Sequence, residues 1–272
     1  YPYRYRRIVL YVKVVIRRTG DRYNGVTVDS QSESCDVNLL SNRINDSFKK
    51  WESEKKRCIW FKVNIKDSNW VPILAEKGFN FHHARENFVM MYKWLPTDSS
   101  SNLPPACHTN LGVGGLVFND CNQILVVTEQ HFNIPHWKLP GGYVEKDIYI
   151  FNKLTGEDIK DAVVREVKEE TGIDTVFESM VTLRHTHHAM FGNSDIYIVL
   201  MLKATSTTIV KCTNEIKDCQ WMDIDEFLNH PHVHEFNRFI VKQALELRNR
   251  KLKMTLSKQK ITISTYIVSQ NI

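Results

Sequence analysis

The first third of the chain alternates between helical and extended spacing of its hydrophobic residues. Apolar side chains recur at steps of three and four, as in an amphipathic helix, at Val37, Leu40, Ile44, Phe48 and Trp51. The runs Cys58 to Val63 and Phe88 to Trp94 predict strands, because they are short, apolar and rich in aromatic or branched residues. Ser68 to Lys77 predicts a second helix, with Ser68 as its N-cap and Gly78 as its stop. The pattern therefore predicts a small α/β domain.

Beyond residue 105 the pattern becomes rich in strands. Val113 to Phe118 and Gln123 to Thr128 predict a hairpin around the turn Asn119 to Asn122. Trp137 to Gly142 predicts a strand that ends in a glycine pair, and a helix follows from about Glu157 to Thr171. Three further strands and then two helices are predicted at Val176 to Arg184, Ile196 to Lys203, Cys219 to Met222, Asp223 to Asn229 and Glu235 to Arg248. The last roughly 20 residues show no clear periodicity, so we expect them to be disordered or non-native.

The stretch Pro96 to Pro105 separates these two regions. It reads PTDSSSNLPP, and prolines with small polar residues disfavour both helices and central strands. The sequence therefore predicts five segments: a basic N-terminal segment (1–20), a small α/β domain (21–95), a linker (96–105), a larger α/β domain (106–247) and a basic C-terminal tail (248–272).

Charge is distributed unevenly along the chain, whose net charge is +5. Residues 1–20 carry six basic groups and residues 248–272 carry six more, and neither segment contains an acidic residue. The remaining 24 basic and 31 acidic residues leave the body near −7. A nucleic-acid-binding face within the folded body is therefore disfavoured. No apolar run approaches the roughly 18 residues that span a membrane, so we expect no membrane partner.

The six cysteines include no CxxC pair. This spacing favours free thiols in a reducing compartment over disulfides or a zinc site. We therefore expect an intracellular protein, most simply a cytoplasmic one. The arginine-rich, acid-free start also fits a mitochondrial presequence or a non-native end, and a nuclear location is a further alternative.

The helix predicted at Glu157 to Thr171 places acidic residues where local rules disfavour them. On a helical wheel, Glu166 and Glu170 fall within the apolar stripe, and Glu169 lies at its edge. A solvated acidic face is the usual alternative, but carboxylates on the core side are costly unless a cation satisfies them. Glu169 and Glu170 also lie at the negative end of the helix dipole. An oxygen-rich cluster of this kind suits Mg²⁺ or Mn²⁺ rather than zinc.

The same helix carries a long, spaced motif. Arg165 to Ile173 reads REVKEETGI and matches the C-terminal half of the Nudix box, Arg-Glu-apolar-x-Glu-Glu-x-Gly-apolar. Glu157 lies eight residues before Arg165, where that pattern also has a glutamate. The sequence therefore resembles the Nudix hydrolase family. Shorter segments resemble members that carry an additional N-terminal domain, at Asp21 to Tyr23, Phe81 to Ala84, Trp137 to Gly142, Ser194 to Tyr197 and Trp221 to Asp223.

This resemblance implies a Nudix α/β/α sandwich preceded by the small α/β domain. It places the ligands of a divalent Mg²⁺ or Mn²⁺ ion on the helix, at Glu166, Glu169 and Glu170. Arg165 is expected to orient Glu166, and the backbone of Gly142 to help shape the metal site. A second acid outside the box often completes such sites in this family, and Glu215 is our candidate, ahead of Asp195.

The resemblance also implies a substrate class, namely a nucleoside diphosphate linked to another moiety. Relatives with the additional domain indicate ADP-ribose or NADH. Three aromatic side chains are candidates for stacking on a base, although each also suits ordinary packing: Trp137, Phe132 and Phe191. A homodimer is an open expectation.

One departure from the family pattern lies directly before the helix. Gly142 and Glu157 are separated by 14 residues, nine more than the pattern has, and Lys146 to Thr155 reads as an insertion. We expect the helix carboxylates to be intact and the contribution of the glycine loop to be in question. The rival hypothesis is a binding or regulatory module whose active site the insertion has damaged. A third alternative is an RNA-cap hydrolase that uses the basic tails.

Overall fold

The computed structural model describes residues 16, 18–21, 24–33, 36–101, 103–132, 134, 136–146, 148–150, 153–260 and 264–271. Most of the basic segment 1–20, and Arg22 and Tyr23 of the resemblance, lie outside these residues. The chain divides into two compact units, Tyr1–Cys107 (unit 1) and His108–Ile272 (unit 2). No helix among the described residues is long and apolar enough to cross a membrane.

Unit 1 contains a five-stranded sheet in the order β1-β2-β3-β5-β4 and two helices. Its elements are β1 (Thr19–Gly20), β2 (Val26–Asp29), α1 (Val37–Ser53), β3 (Cys58–Asn64), α2 (Trp70–Glu76), β4 (Asn80–Arg85) and β5 (Phe88–Trp94). Strands β2 and β3 are parallel, and the other pairs are antiparallel. The helices and the sheet share one core, in which Ile44 and Trp51 of α1 pack with Phe61 of β3. Unit 1 is therefore the small α/β domain that the sequence predicts.

The start of α2 differs from the prediction that Ser68 is its N-cap. A 3₁₀ turn at Ile65–Asp67 precedes α2, and the Ser68 N–H donates to the carbonyl of Ile65 at 3.4 Å. Ser68 is therefore already in a helical conformation, whereas an N-cap residue needs an extended one. The residue before α2 is Asn69, whose side chain makes no capping hydrogen bond.

Unit 2 contains a seven-stranded sheet in the order β12-β7-β6-β11-β10-β13-β14, a separate hairpin β8-β9 and three helices. Its strands are β6 (Thr109–Phe118), β7 (Ile124–Glu129), β8 (Ile148–Ile150), β9 (Lys153–Thr155), β10 (Thr175–Thr186), β11 (Ser194–Ala204), β12 (Ile216–Met222), β13 (Lys253–Lys260) and β14 (Ser264–Asn271). Its helices are α3 (Ile159–Thr171), α4 (Ile224–Asn229) and α5 (Glu235–Asn249). Strands β6 and β11 are parallel.

The large sheet lies between α3 and α5. Successive residues of β6 face opposite layers, so Leu116 packs with Ile240 of α5, and Val117 packs with Val163 of α3. These two hydrophobic layers confirm the α/β/α sandwich.

Two predictions for unit 2 are wrong. Trp137 to Gly142 forms no continuous strand, and only isolated bridges occur, at Trp137 and Lys138. The segment still follows β6, because the Pro140 and Gly142 carbonyls accept from the Gly115 and Val113 N–H groups, each at 2.8 Å. Pro140 has no N–H for a ladder, so the pairing is interrupted there. The end of the chain is not without structure, since β13 and β14 pair with each other and Met254 pairs with Met180 of β10. Polar residues on both strands hide this pairing from a periodicity analysis.

Candidate active site

Helix α3 lies unusually close to the sheet because β6 has a glycine beneath it. A Cβ at Gly115 would lie 2.6 Å from Val167 Cγ2 and 3.3 Å from Val163 Cγ2. No side chain can therefore occupy this position without displacing α3. The helix ends at Gly172, whose φ of 76° is the left-handed conformation that ends helices.

The three glutamates of α3 differ sharply in exposure. Glu170 is 5% exposed and belongs to the buried face of the helix. The side chain of Glu166 is 15% exposed, whereas that of Glu169 is 58% exposed. The structure thus buries Glu170 and partly buries Glu166, the two acids that the helical wheel places in the apolar stripe. Burial in turn raises the pKa of Glu166, and it raises the pKa of Glu170 to about 7.

Two consecutive glycines bring the loop backbone against these carboxylates. The Gly141 N–H donates to Glu170 Oε2 at 2.8 Å, and a Cβ at Gly141 would lie 2.1 Å from the carbonyl oxygen of Val113. A Cβ at Gly142 would lie 2.6 Å from Glu166 Oε2. The glycine pair is therefore required for the loop to fit between β6 and the two acids.

Arg165 connects the start of α3 with its middle. It binds Glu157 with two hydrogen bonds, from Nε at 2.7 Å and from Nη2 at 2.9 Å. Its Nη1 donates to Glu166 and to Glu169, each at 2.9 Å. Burial alone would raise the pKa of Glu157, but hydrogen bonds from Arg165 and from the Glu145 N–H outweigh it and lower that pKa. Arg165 therefore joins Glu157, Glu166 and Glu169 in one hydrogen-bonded network.

The inserted residues form a structure of their own, and the glycine loop keeps its contact with α3. Its two ends meet, because the Glu157 N–H donates to the Glu145 carbonyl at 3.2 Å and the Glu145 N–H donates to Glu157 Oε2 at 2.8 Å. Between them the chain forms the hairpin β8-β9, which pairs only with itself among the described strands. Gly142 consequently stays beside Glu166 despite the 14 intervening residues before Glu157.

A cavity of about 550 Å³ opens in front of these groups. It is lined by five of the predicted residues, Phe132, Gly142, Glu166, Glu170 and Glu215, and by the weaker candidate Asp195. Four other predicted residues do not line it, and one of them, Arg165, lies behind Glu166, to which it donates a hydrogen bond. Glu169 is outside the lining, Trp137 lines a neighbouring cavity of about 300 Å³, and Phe191 is 92% exposed and lines neither.

The cavity also holds two cations that the sequence reasoning did not single out. Lys138 forms an ion pair with Glu129. Arg184 pairs with Asp195 at 3.0 Å, and its guanidinium lies between the ring of Tyr197 at 5.2 Å and the ring of Phe236 at 4.8 Å. Lys138 stands inside the segment Trp137 to Gly142 and could have been noticed there. A lone arginine at the end of a long strand carries no such signal.

The acidic residues fit a divalent cation by their chemistry, although they do not form a complete ligand set. Among the described residues, no group of three or more His, Cys, Asp or Glu side chains is arranged to hold one ion. Arg165 explains part of this, since it engages one oxygen each of Glu166 and Glu169. The Glu166 carboxylate lies against Gly142, and Glu170 lines the same cavity, buried and with a raised pKa. A buried and a partly buried carboxylate on one cavity are what a hard cation stabilises.

Comparisons with known proteins identify the family of both units. A family model described as "Nudix hydrolase domain" matches residues 16–95, and one described as "NUDIX domain" matches residues 108–243, half of the chain. Nudix hydrolase 8 of Arabidopsis thaliana is 34% identical over 236 residues, which cover 85% of this chain and 61% of that protein. Nudix hydrolase 2 of the same plant is 35% identical over 219 residues, covering 79% and 75%.

A human protein shows a similar likeness. Nucleoside diphosphate-linked moiety X motif 6, the Nudix protein encoded antisense to basic fibroblast growth factor, is 34% identical over 213 residues. These cover 76% of this chain and 64% of that protein, so the chain spans less than two thirds of two of these three relatives. The chain therefore belongs to the Nudix hydrolase family of enzymes and carries a pre-Nudix domain before its Nudix domain.

Proposed function

We propose that this chain hydrolyses the diphosphate bond of a nucleoside diphosphate linked to another moiety, with ADP-ribose and NADH as the substrate types. Family membership supports hydrolysis of this class in general. The observation that carries the proposal for this chain is the pair of α3 carboxylates, the buried Glu170 and the partly buried Glu166, which contact two consecutive glycines at one cavity.

The charge of the cavity supports metal dependence. Its lining holds two basic residues, Lys138 and Arg184, against five acidic ones, Glu129, Glu166, Glu170, Asp195 and Glu215. An anionic diphosphate would be repelled by this excess unless a divalent cation were bound with it. Nudix hydrolases generally need a divalent metal ion, and the carboxylate oxygens suit Mg²⁺ or Mn²⁺. Glu166 and Glu170 would hold it, with Glu215 as the acid from outside the helix.

The protein groups have separate tasks in this mechanism. When bound, the metal supplies charge neutralisation and a water of lowered pKa. Arg165 fixes the Glu166 carboxylate, so its free oxygen keeps its direction through the reaction. The Gly141 N–H fixes Glu170 in the same way. Both acids are thus oriented before substrate arrives, and little reorganisation is needed.

Groups on the other walls of the cavity suit the rest of the substrate. Phe132 is half exposed and offers a ring face on which a base can stack. Arg184 is held by Asp195 and by two rings, so its guanidinium can contact an anionic oxygen at little cost in side-chain entropy. In this proposal the base of the substrate stacks on Phe132. Arg184 contacts the phosphate farther from the base, or the group attached to that phosphate.

The test is release of AMP from ADP-ribose and from NADH at saturating Mg²⁺, repeated with Mn²⁺ and with a chelator. Glu166→Gln and Glu170→Gln should each lower kcat about a hundredfold or more, because each removes one of the two helix carboxylates that would hold the metal. Glu246→Gln is the matched control, since Glu246 forms an exposed ion pair with Arg250 at 3.3 Å outside the cavity. Equal turnover in the wild type and in Glu170→Gln would contradict the site. Tight binding of nucleotides without turnover across a panel of diphosphates would identify a binding module instead.

A further inference from the structure

Aromatic side chains cluster on one face of the unit 1 sheet. It is the face opposite the one on which Phe61 packs against the helices. Along β3, Ile59 and Phe61 are fully buried in the core, whereas Trp60 between them is half buried and faces the opposite side. Trp60 pairs across the ladder with Tyr92, and their ring centroids are 5.6 Å apart. Trp94 pairs with Cys58 in the same ladder and so shares the face of Trp60 as a diagonal neighbour.

The segment that follows β5 returns across this face. The Trp94 indole N–H donates to the Ser99 carbonyl at 3.0 Å. The Pro104 carbonyl lies 2.9 Å from His82 Nε2, and the His82 ring stands edge-on to Trp60 at 5.1 Å. These contacts hold residues 103 and 104 over the tryptophans, so part of the predicted linker is a wall of unit 1.

A cavity of about 530 Å³ lies between this segment and the sheet. Its apolar walls are formed by Trp60, Trp94, Leu103 and Pro104. Small-molecule sites commonly have volumes of about 300–1,000 Å³, with apolar or aromatic walls and a few polar groups. The cavity therefore has the size and the composition of a ligand site.

Arg57 gives this cavity its charge preference. Its guanidinium carbon lies 5.0 Å from the ring centroid of Trp94. Among the described residues, its side chain makes no hydrogen bond or ion pair, so its N–H donors are available to a ligand. The acid in the lining, Asp21, already accepts a hydrogen bond from the Gly25 N–H at 2.8 Å. Asp21 keeps its negative charge, so an anionic partner would bind on Arg57, the side chain in this lining that offers charge-assisted N–H donors.

We propose that unit 1 contains a small-molecule site for a flat ring bearing one carboxylate or phosphate group, with the anion on Arg57 and the ring against Trp60 and Trp94. An aromatic carboxylate and a nucleoside monophosphate both have this chemistry. The site is separate from the cavity of unit 2, so it does not depend on the proposed hydrolysis.

The experiment uses the full chain with ¹⁵N-labelled tryptophans, whose six indole N–H signals report on both units. Trp60→Phe and Trp94→Phe assign the two signals of interest. The probes are indole-3-carboxylate and AMP, titrated separately to millimolar concentration. At least one of them should shift the Trp60 and Trp94 signals in a saturable way. Shifts confined to Trp137 and Trp221 would report binding in unit 2 alone and would overturn the proposal.

The role of Arg57 is tested with a matched pair of variants. Arg57→Gln should weaken binding of the probe about tenfold or more, because it removes a charge-assisted hydrogen bond. Arg85→Gln is the control, since Arg85 belongs to the same sheet, donates a hydrogen bond to the neighbouring Ala84 carbonyl at 3.0 Å and does not line the cavity. Its affinity should equal that of the wild type. Equal affinity in Arg57→Gln and wild type, or no saturable shift of Trp60 and Trp94 with either probe, would refute the site.

Discussion

Deleting residues 147–155 should leave the fold and the activity of the Nudix domain intact. The deletion makes Glu145, Lys146, Gly156 and Glu157 consecutive and reduces the spacing between Gly142 and Glu157 from 14 residues to five. The first carbonyl and the last N–H of this new tetrapeptide are already hydrogen-bonded at 3.2 Å. That bond closes a β-turn, and glycine at the third position suits the type II form.

The expected change in stability follows from the loop length. Shortening a loop from 14 to five residues lowers its closure cost by about 1 kcal/mol. The removed hairpin pairs only with itself among the described strands, so no ladder of the large sheet is lost. The contacts of Gly142 with Glu166, and of Glu157 with Arg165, lie outside the deleted residues. We therefore expect the free energy of unfolding to stay equal or rise by about 1 kcal/mol, and kcat to stay within about threefold.

Urea denaturation and AMP release from ADP-ribose would check these values. A variant in which residues 147–155 are replaced by nine Gly and Ser residues is the control for sequence, and it should resemble the wild type in activity. A fall of more than about 2 kcal/mol in the free energy of unfolding of the deletion variant would show that the shortened segment does not form the expected β-turn. A hundredfold loss of activity in a folded protein would show that the hairpin is part of the active site.

Three substitutions test the contacts around α3 and the cavity. Glu157→Gln should lower the free energy of unfolding by about 1–3 kcal/mol at neutral pH, because it removes the carboxylate charge and leaves one donor of the partly buried Arg165 without an acceptor. The pKa of this glutamate lies below its usual 4.5, so its contribution is present above pH 4.5 and is lost as the pH falls through the lowered value. Urea curves of the two proteins should therefore converge in acid, and the exposed control Glu246→Gln should differ from wild type by less than about 0.5 kcal/mol. Gly142→Ala should lower kcat at least about tenfold by steric displacement of its neighbouring carboxylate, with the circular dichroism spectrum unchanged. Arg184→Ala should raise KM about tenfold, while kcat changes less than about twofold. Arg248 is a stacked arginine outside the cavity, and the control Arg248→Ala should change neither KM nor kcat.

Helix α3 was the part of the fold most open to prediction, because its periodicity, its terminal glycine and its misplaced acids are all local. The burial of Glu166 and Glu170 follows from the helical wheel alone. The resemblance of this helix to the Nudix box then predicts the fold of the domain around it. Local rules and tertiary structure agree here, so no later contact overrides the sequence pattern.

Other parts of the site depend on contacts between distant residues. Nothing in the sequence indicates that Glu145 and Glu157 meet across the insertion, because that contact depends on the hairpin between them. Arg184 reaches the cavity only through the register of β10 and β11, which pairs it with Tyr197. The C-terminal strands were missed for the same reason, since their pairing depends on the edge of β10 rather than on their own pattern.

The four bonds that Arg165 makes to three glutamates have a consequence for how this site can vary. A change at any one of these acids alters the partner of the other two, so their effects cannot be additive. Lysine at position 165 could not replace this arrangement, because a single ammonium cannot match the fork of a guanidinium. In evolutionary terms the four positions form one inherited unit, and homologous chains should retain or exchange them together.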